Sequence, residues 1–113
     1  MSRRRFDQAM RLMREHDPQV QEDAFDFLRE HADAYVDELI EEFRAERDDH
    51  GLHCWLLELI AEARSPKALD VFRDQLESLD ESLRFWAVRG LEMLDDRESR
   101  QALHQARANG WIA

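Results

Sequence analysis

Three stretches of this chain echo one another at a regular spacing. Val20, Ala24 and Leu28 form an apolar ladder at every fourth position. Leu52, Leu56 and Ile60 repeat it at an offset of 32, and Leu83, Ala87 and Leu91 repeat it at a further 31. A second set keeps the same offsets. Val36, Leu39, Ile40 and Phe43 correspond to Ala68, Val71, Phe72 and Gln75, and these to Ser99, Ala102, Leu103 and Ala106. Steps of three and four gather side chains on one face of a helix. Each block therefore predicts two amphipathic helices, and a single block cannot bury both apolar faces alone. Stacking the blocks gives those faces one continuous core.

Punctuation fits this division. Asp17-Pro18 offers an N-cap followed by Pro at the first helical position, and Ser65-Pro66 does the same for a later helix. Asp49 and Asp80 stand where Asp17 stands in the period. Asn109-Gly110 is a stop signal. Ahead of the blocks, Phe6, Ala9, Met10 and Met13 mark one more amphipathic helix. The sequence thus predicts helices over 3–15, 18–31, 33–47, 50–63, 66–78, 81–94 and 97–108. The blocks run over about 17–48, 49–79 and 80–109, with a tail at 110–113, and the whole of 1–113 reads as one domain. Only three Gly and two Pro among 113 residues also favour long helices over a turn-rich β fold. The middle block is apolar around most of its first helix (Leu52, Trp55, Leu56, Leu57, Leu59, Ile60), as a central layer requires.

One cysteine, Cys54, excludes an intramolecular disulfide. No apolar run approaches the length of a membrane span. The start, Ser2-Arg3-Arg4-Arg5-Phe6, is basic but leads into an amphipathic segment, so no signal peptide is read and the cytoplasm is the expected location. Charge is uneven. Residues 1–14 hold five Arg and one Asp, whereas residues 15–49 hold 14 acids and three Arg, within a chain of net charge −10. Such a surface repels phosphate backbones and attracts basic proteins.

The stretch Asp80-Glu81-Ser82-Leu83-Arg84-Phe85-Trp86-Ala87-Val88-Arg89-Gly90-Leu91 resembles the first helix of a HEAT-like repeat, of the short type seen in bilin-lyase-like proteins. That pattern runs D-x-x-V-R-x-x-A-x-x-A-L. Ala63 to Phe72 resembles the turn and second helix of the same repeat. Block one has Gln21 and block two His53 where the pattern has Arg, so the family's Arg–Asp ladder is expected only at Arg84. The resemblance implies an all-α fold: an α-α superhelix, or solenoid, of three helical hairpins with an N-terminal capping helix.

It also implies that the second helices line a concave, partner-binding face. By position, helix 33–47 presents Asp37, Glu38, Glu41, Glu42 and Ala45. Helix 66–78 adds Asp70, Arg73, Asp74 and Glu77, and helix 97–108 adds Arg100, Gln101, His104 and Arg107. The expected partner-binding residues are Asp37, Glu38, Glu41, Glu42, Asp70, Arg73, Asp74, Glu77 and His104. The alternative reading of this ridge is a solvated face with internal pairs, such as Arg73 and Lys67 with Asp70 and Asp74.

Asp48, Asp49, His50, His53 and Cys54 are the densest set of possible metal ligands, but no Cys pair or H-E-x-x-H accompanies them; the sequence favours a cap, a surface His and a packed Cys, and no metal or cofactor is assigned. No catalytic motif stands out, and His16, His31 and His104 are isolated. Phe85 lies opposite the core arc of its helix, either as a docking anchor or covered by Trp111 and Ile112 folding back. Arg3, Arg4 and Arg5 have an acidic partner available in helix 33–47. The expected function is a cofactor-free, non-catalytic protein-binding module. It is expected as a monomer that docks a basic protein and binds neither nucleic acid nor membrane. By analogy with small acidic immunity domains, one form of that role is a bacterial protein that blocks a basic toxin. The alternative is an enzyme or accessory factor resembling bilin lyases.

Overall fold

A computed structural model describes residues 3–113; Met1 and Ser2, the first residues of the basic start, lie outside the described residues. The described chain is all helical. Its elements are α1 (Arg3–Met13), α2 (Pro18–Glu30), α3 (Val36–Ala45), α4 (His50–Ala63), α5 (Leu69–Gln75), α6 (Glu81–Leu94) and α7 (Arg97–Ala108). Two 3-10 turns, Ala32–Tyr35 and Pro66–Ala68, lead into α3 and α5. Seven α-helices among the described residues match the number read from the sequence.

The caps are made by the residues the spacing picks out. Asp17 accepts from the backbone N–H of Gln19 at 2.9 Å, Asp49 from Leu52 at 3.0 Å and Asp80 from Leu83 at 3.0 Å. Asp96 does the same for Ser99 at 2.7 Å, and Ser65 accepts from Lys67 at 3.3 Å. Each side chain satisfies a donor that the first turn leaves free. At the far end, Gly110 takes φ +76 while Trp111 N–H bonds to the Ala106 carbonyl and Gly110 N–H to that of Arg107. This is the paired closure that a left-handed glycine permits.

Two helices are shorter than their apolar pattern. The segment read as helix 33–47 begins as the 3-10 turn, which buries Ala32 and Tyr35, and becomes α-helical only at Val36. The segment read as helix 66–78 opens on Pro66–Ala68 and is α-helical only over α5. Beyond it, Leu76 N–H bonds to the Arg73 carbonyl and Ser78 N–H to that of Gln75, tightening the chain so that Leu76 is buried. Glu77 therefore sits in a turn. Helix α1 likewise ends at Met13, and Arg14 and Glu15 close it through i to i−3 bonds.

The repeated apolar positions form the core. Ala24, Leu28, Leu52, Leu56, Ile60, Leu83, Ala87 and Leu91 are buried, and Val20 is partly so. In the second set Val36, Leu39, Phe43, Ala68, Val71, Phe72, Ser99, Leu103 and Ala106 are buried. Helix α4 is enclosed on most sides, with Leu52, Leu56, Leu57, Leu59, Ile60, Ala61 and Ala63 all inside. It packs broadly against α6 and also touches α2 and α3; α1 lies on α2, and α6 holds α5 and α7. The molecule measures 41 × 27 × 21 Å.

Several contacts join positions about one period apart. The rings of Phe25 and Trp55 lie 5.5 Å apart, and those of Phe6 and Tyr35 lie 5.3 Å apart. Lys67 pairs with Asp37 at 3.2 Å, Arg14 with Glu46 at 2.8 Å, and His50 is hydrogen-bonded to Asp80. No helix among the described residues is long and apolar enough to cross a membrane.

Candidate functional site

The acidic face begins with α3, whose core side carries Val36, Leu39 and Phe43. That register leaves Asp37 and Glu41 exposed and Glu38 and Glu42 half-exposed. The 3-10 turn before α5 packs against α3. Together they frame an open groove lined by Asp37, Ile40, Glu41, Arg44, Ala45, Lys67 and Asp70. Three of the nine expected partner-binding residues, Asp37, Glu41 and Asp70, thus meet in one groove.

The others distribute differently. Glu42 leans toward α1, where Arg14 reaches it at 3.3 Å. Arg73 sits 3.8 Å from Asp70, one turn away on α5. Asp74 and Glu77 are exposed farther along. His104 lies in a separate groove lined only by α7 and its end, with Arg97, Arg100, Gln101, Gln105, Ala108 and Asn109.

Internal cations reach the acidic face. Lys67 meets Asp37 at 3.2 Å, and Arg3 meets Glu41 at 3.4 Å. Both pairs are more than half exposed, where an ion pair stabilises by about 0 to 1 kcal/mol and exchanges readily. The Arg3 pair ties the basic first helix to α3, as the charge map anticipates. Glu46 is held more firmly. Its side chain is only 7% exposed, takes Arg14 at 2.8 Å and accepts from the backbone N–H groups of Asp48 and Asp49. The bond from Arg14, then that from Asp49, holds its carboxyl below the usual range. Glu46 thereby fixes the link from α3 to α4, a role that the period alone does not reveal.

A second cluster forms where α4 and α6 begin. His50 is the first residue of α4, and Cys54 lies one turn on, partly buried. Asp80 caps α6 through Oδ1 and hydrogen-bonds His50 Nε2 through Oδ2. Cys54 Sγ lies 3.7 Å from His50 Nε2. The Leu83 N–H, more than His50, keeps the Asp80 carboxyl below its ordinary range, and burial, reinforced by Asp80, pushes the Cys54 thiol up. This is not the set that proximity in sequence suggests. Asp49 caps α4, and His53 turns away to stack on Phe43 with ring centroids 4.0 Å apart. Asp80 is the partner that local spacing missed. The period is the signal for it, because Asp80 stands about one repeat beyond His50.

At the last block Arg84 donates to the Ser78 carbonyl at 2.6 Å and takes no Asp partner of the ladder kind among the described residues. Ile112 folds back and packs on the core, lining a groove with Phe85 and Val88 on α6. Trp111 stays 39% exposed and Phe85 59% exposed, so the tail covers the outer face only in part. Comparison with known protein families, curated proteins and solved structures returned no match.

Proposed function

We propose that this chain is a non-catalytic protein-binding module that docks a basic protein against the face made by α3 and α5. The observation that carries the reading is one open groove lined by the carboxylates of Asp37, Glu41 and Asp70, from two successive blocks, with Arg44 and Lys67 at its walls. Glu38, Glu42, Asp74 and Glu77 extend that acidic field around it, while Arg73 stands beside Asp70 and His104 lies apart in the groove on α7. A net charge of −10 adds long-range attraction for a cationic partner. The exposed internal pairs at Asp37 and Glu41 fit this use, because an incoming Arg or Lys exchanges for Lys67 or Arg3 at little cost.

The scaffold we infer is a short α-α solenoid of HEAT-like hairpins capped by α1. Contacts between successive blocks support it: Phe25 with Trp55, Lys67 with Asp37 and His50 with Asp80 each join residues about one period apart. The enclosed α4 fits a middle layer. A rigid stack holds carboxylates at fixed spacing, which favours a folded partner with a complementary cationic face. Inhibition of a basic toxin by an immunity-type protein is one form of this role. The test is affinity capture with the full chain and with a Glu38→Lys/Glu41→Lys variant. The reading requires a stoichiometric basic protein retained by the parent and lost from the variant. Equal retention by both would reject the acidic face.

A further inference from the structure

We propose that His50, Cys54 and Asp80 form a binding site for a zinc-type divalent ion that staples the start of α4 to the start of α6. The cluster offers an imidazole nitrogen, a thiol sulfur and a carboxylate oxygen, with all three donor atoms within 4.8 Å of one another. These are the donor types that Zn2+ accepts, at about 2.0 to 2.3 Å from the ion. Sulfur and nitrogen ligands at those lengths, separated by the tetrahedral angle, stand about 3.6 Å apart. Cys54 Sγ and His50 Nε2 already stand 3.7 Å apart.

The supporting bonds suit this assignment. Asp80 Oδ1 is committed to the Leu83 N–H at 3.0 Å, which orients the carboxylate and leaves Oδ2 turned to His50. The ion takes the place of the hydrogen bond between His50 Nε2 and Asp80 Oδ2: the neutral imidazole binds through Nε2 with its proton on Nδ1, and the Cys54 thiol releases its proton to solvent as the sulfur binds. Cys54 and His50 are one turn apart on the same helix, so both present their donors on the same side, and a shift of the Asp80 and His50 side chains opens room for the ion between them. His50 is exposed, which leaves the fourth position to water. The site is independent of the partner-binding face on α3 and α5.

The experiment is titration of the full, metal-free chain with Co2+, followed by displacement with Zn2+. One equivalent of Co2+ is expected to saturate a thiolate-to-cobalt charge-transfer band together with intense four-coordinate d–d bands. Zn2+ is expected to abolish both and raise Tm, because the ion binds only the folded arrangement. Cys54→Ser removes the charge-transfer band and weakens Zn2+ binding by about tenfold or more. Asp80→Asn, which keeps an oxygen for the Leu83 N–H, weakens it to a similar extent, whereas His53→Gln leaves the titration unchanged. Circular dichroism establishes that each variant folds. Absence of the band in the parent, or equal Zn2+ affinity in the parent and in both ligand variants, would overturn the site. Loss of binding in His53→Gln alone would overturn this ligand set.

Discussion

Phe72 of α5 lays the tip of its ring on the backbone of α6 at Gly90. A methyl group built on Gly90 would overlap Cζ, Cε1 and Cε2 of that ring, and Phe72 is only 1% exposed. Glycine in mid-helix costs about 1 kcal/mol relative to alanine, so its presence here needs a compensating contact. Close approach of α5 and α6 is that contact.

Gly90→Ala is therefore expected to destabilise the fold by about 1 to 3 kcal/mol, the overpacking cost exceeding the gain in helix propensity. Combined with Phe72→Leu, the second change should cost less than it does alone, because the ring that clashes is gone. Urea unfolding of the two single variants and the double variant measures this. A stabilising Gly90→Ala would contradict the packing.

Arg64 ends α4 in the left-handed region, at φ 49 and ψ 42. A residue with a Cβ is strained there by about 1 kcal/mol. Glycine carries no such strain. Arg64→Gly is expected to raise stability by roughly 0.5 to 1 kcal/mol in thermal unfolding, whereas Arg64→Val should lower it.

Glu46 binds two backbone N–H groups and Arg14 from a nearly enclosed position. Glu46→Ala removes those bonds and hands the donors to water, which should cost about 0.5 to 1.5 kcal/mol. Glu46→Gln keeps an acceptor oxygen and should cost less. Since the folded carboxyl titrates below its ordinary range, its contribution is present above pH ~4.5 and is lost as pH falls through the depressed value. Chemical denaturation at pH 7 and at pH 3.5 should show the parent and Glu46→Gln converging at the lower pH.

His53 lies flat over Phe43, with rings 21° from parallel, and burial holds its pKa below the ordinary 6.5. The unfolded chain takes up this proton more readily than the folded one. Stability from this group is therefore full above pH ~6.5, declines as pH drops below it, and levels off below the depressed value. His53→Gln should remove that part of the slope between pH 7.5 and 5.5. Parallel stability curves for parent and variant would contradict the burial of the neutral ring.

Much of the helical framework is legible in the sequence because it rests on short-range rules. Asp17, Asp49, Asp80 and Ser65 cap where spacing places them, and the apolar ladders fall inside. What is not legible comes from tertiary contact. The chain before Val36 tightens into a 3-10 turn that buries Tyr35 beside Phe6, and no local signal distinguishes that turn from α-helix. The ends at Arg64 and Asp95 lack the glycine that would announce a left-handed cap. For the acidic face, helical periodicity puts Asp37, Glu41 and Asp70 on the exposed sides of their helices, and the structure adds the groove they share. It also supplies Lys67 and Arg3, whose reach across blocks depends on how the helices pack. Periodic position alone groups His104 with them, and only the packing shows that it lines a different groove.

The most direct test of the acidic docking face is calorimetric titration of the captured basic partner into the parent chain and into an Asp37→Lys/Glu41→Lys/Asp70→Lys variant. Circular dichroism first establishes that the variant folds, as exposed positions allow. One-to-one binding is expected, weakening with added salt and falling by about a hundredfold or more in the variant, as loss of close charge pairs requires. Unchanged affinity in the charge-reversed chain would contradict it.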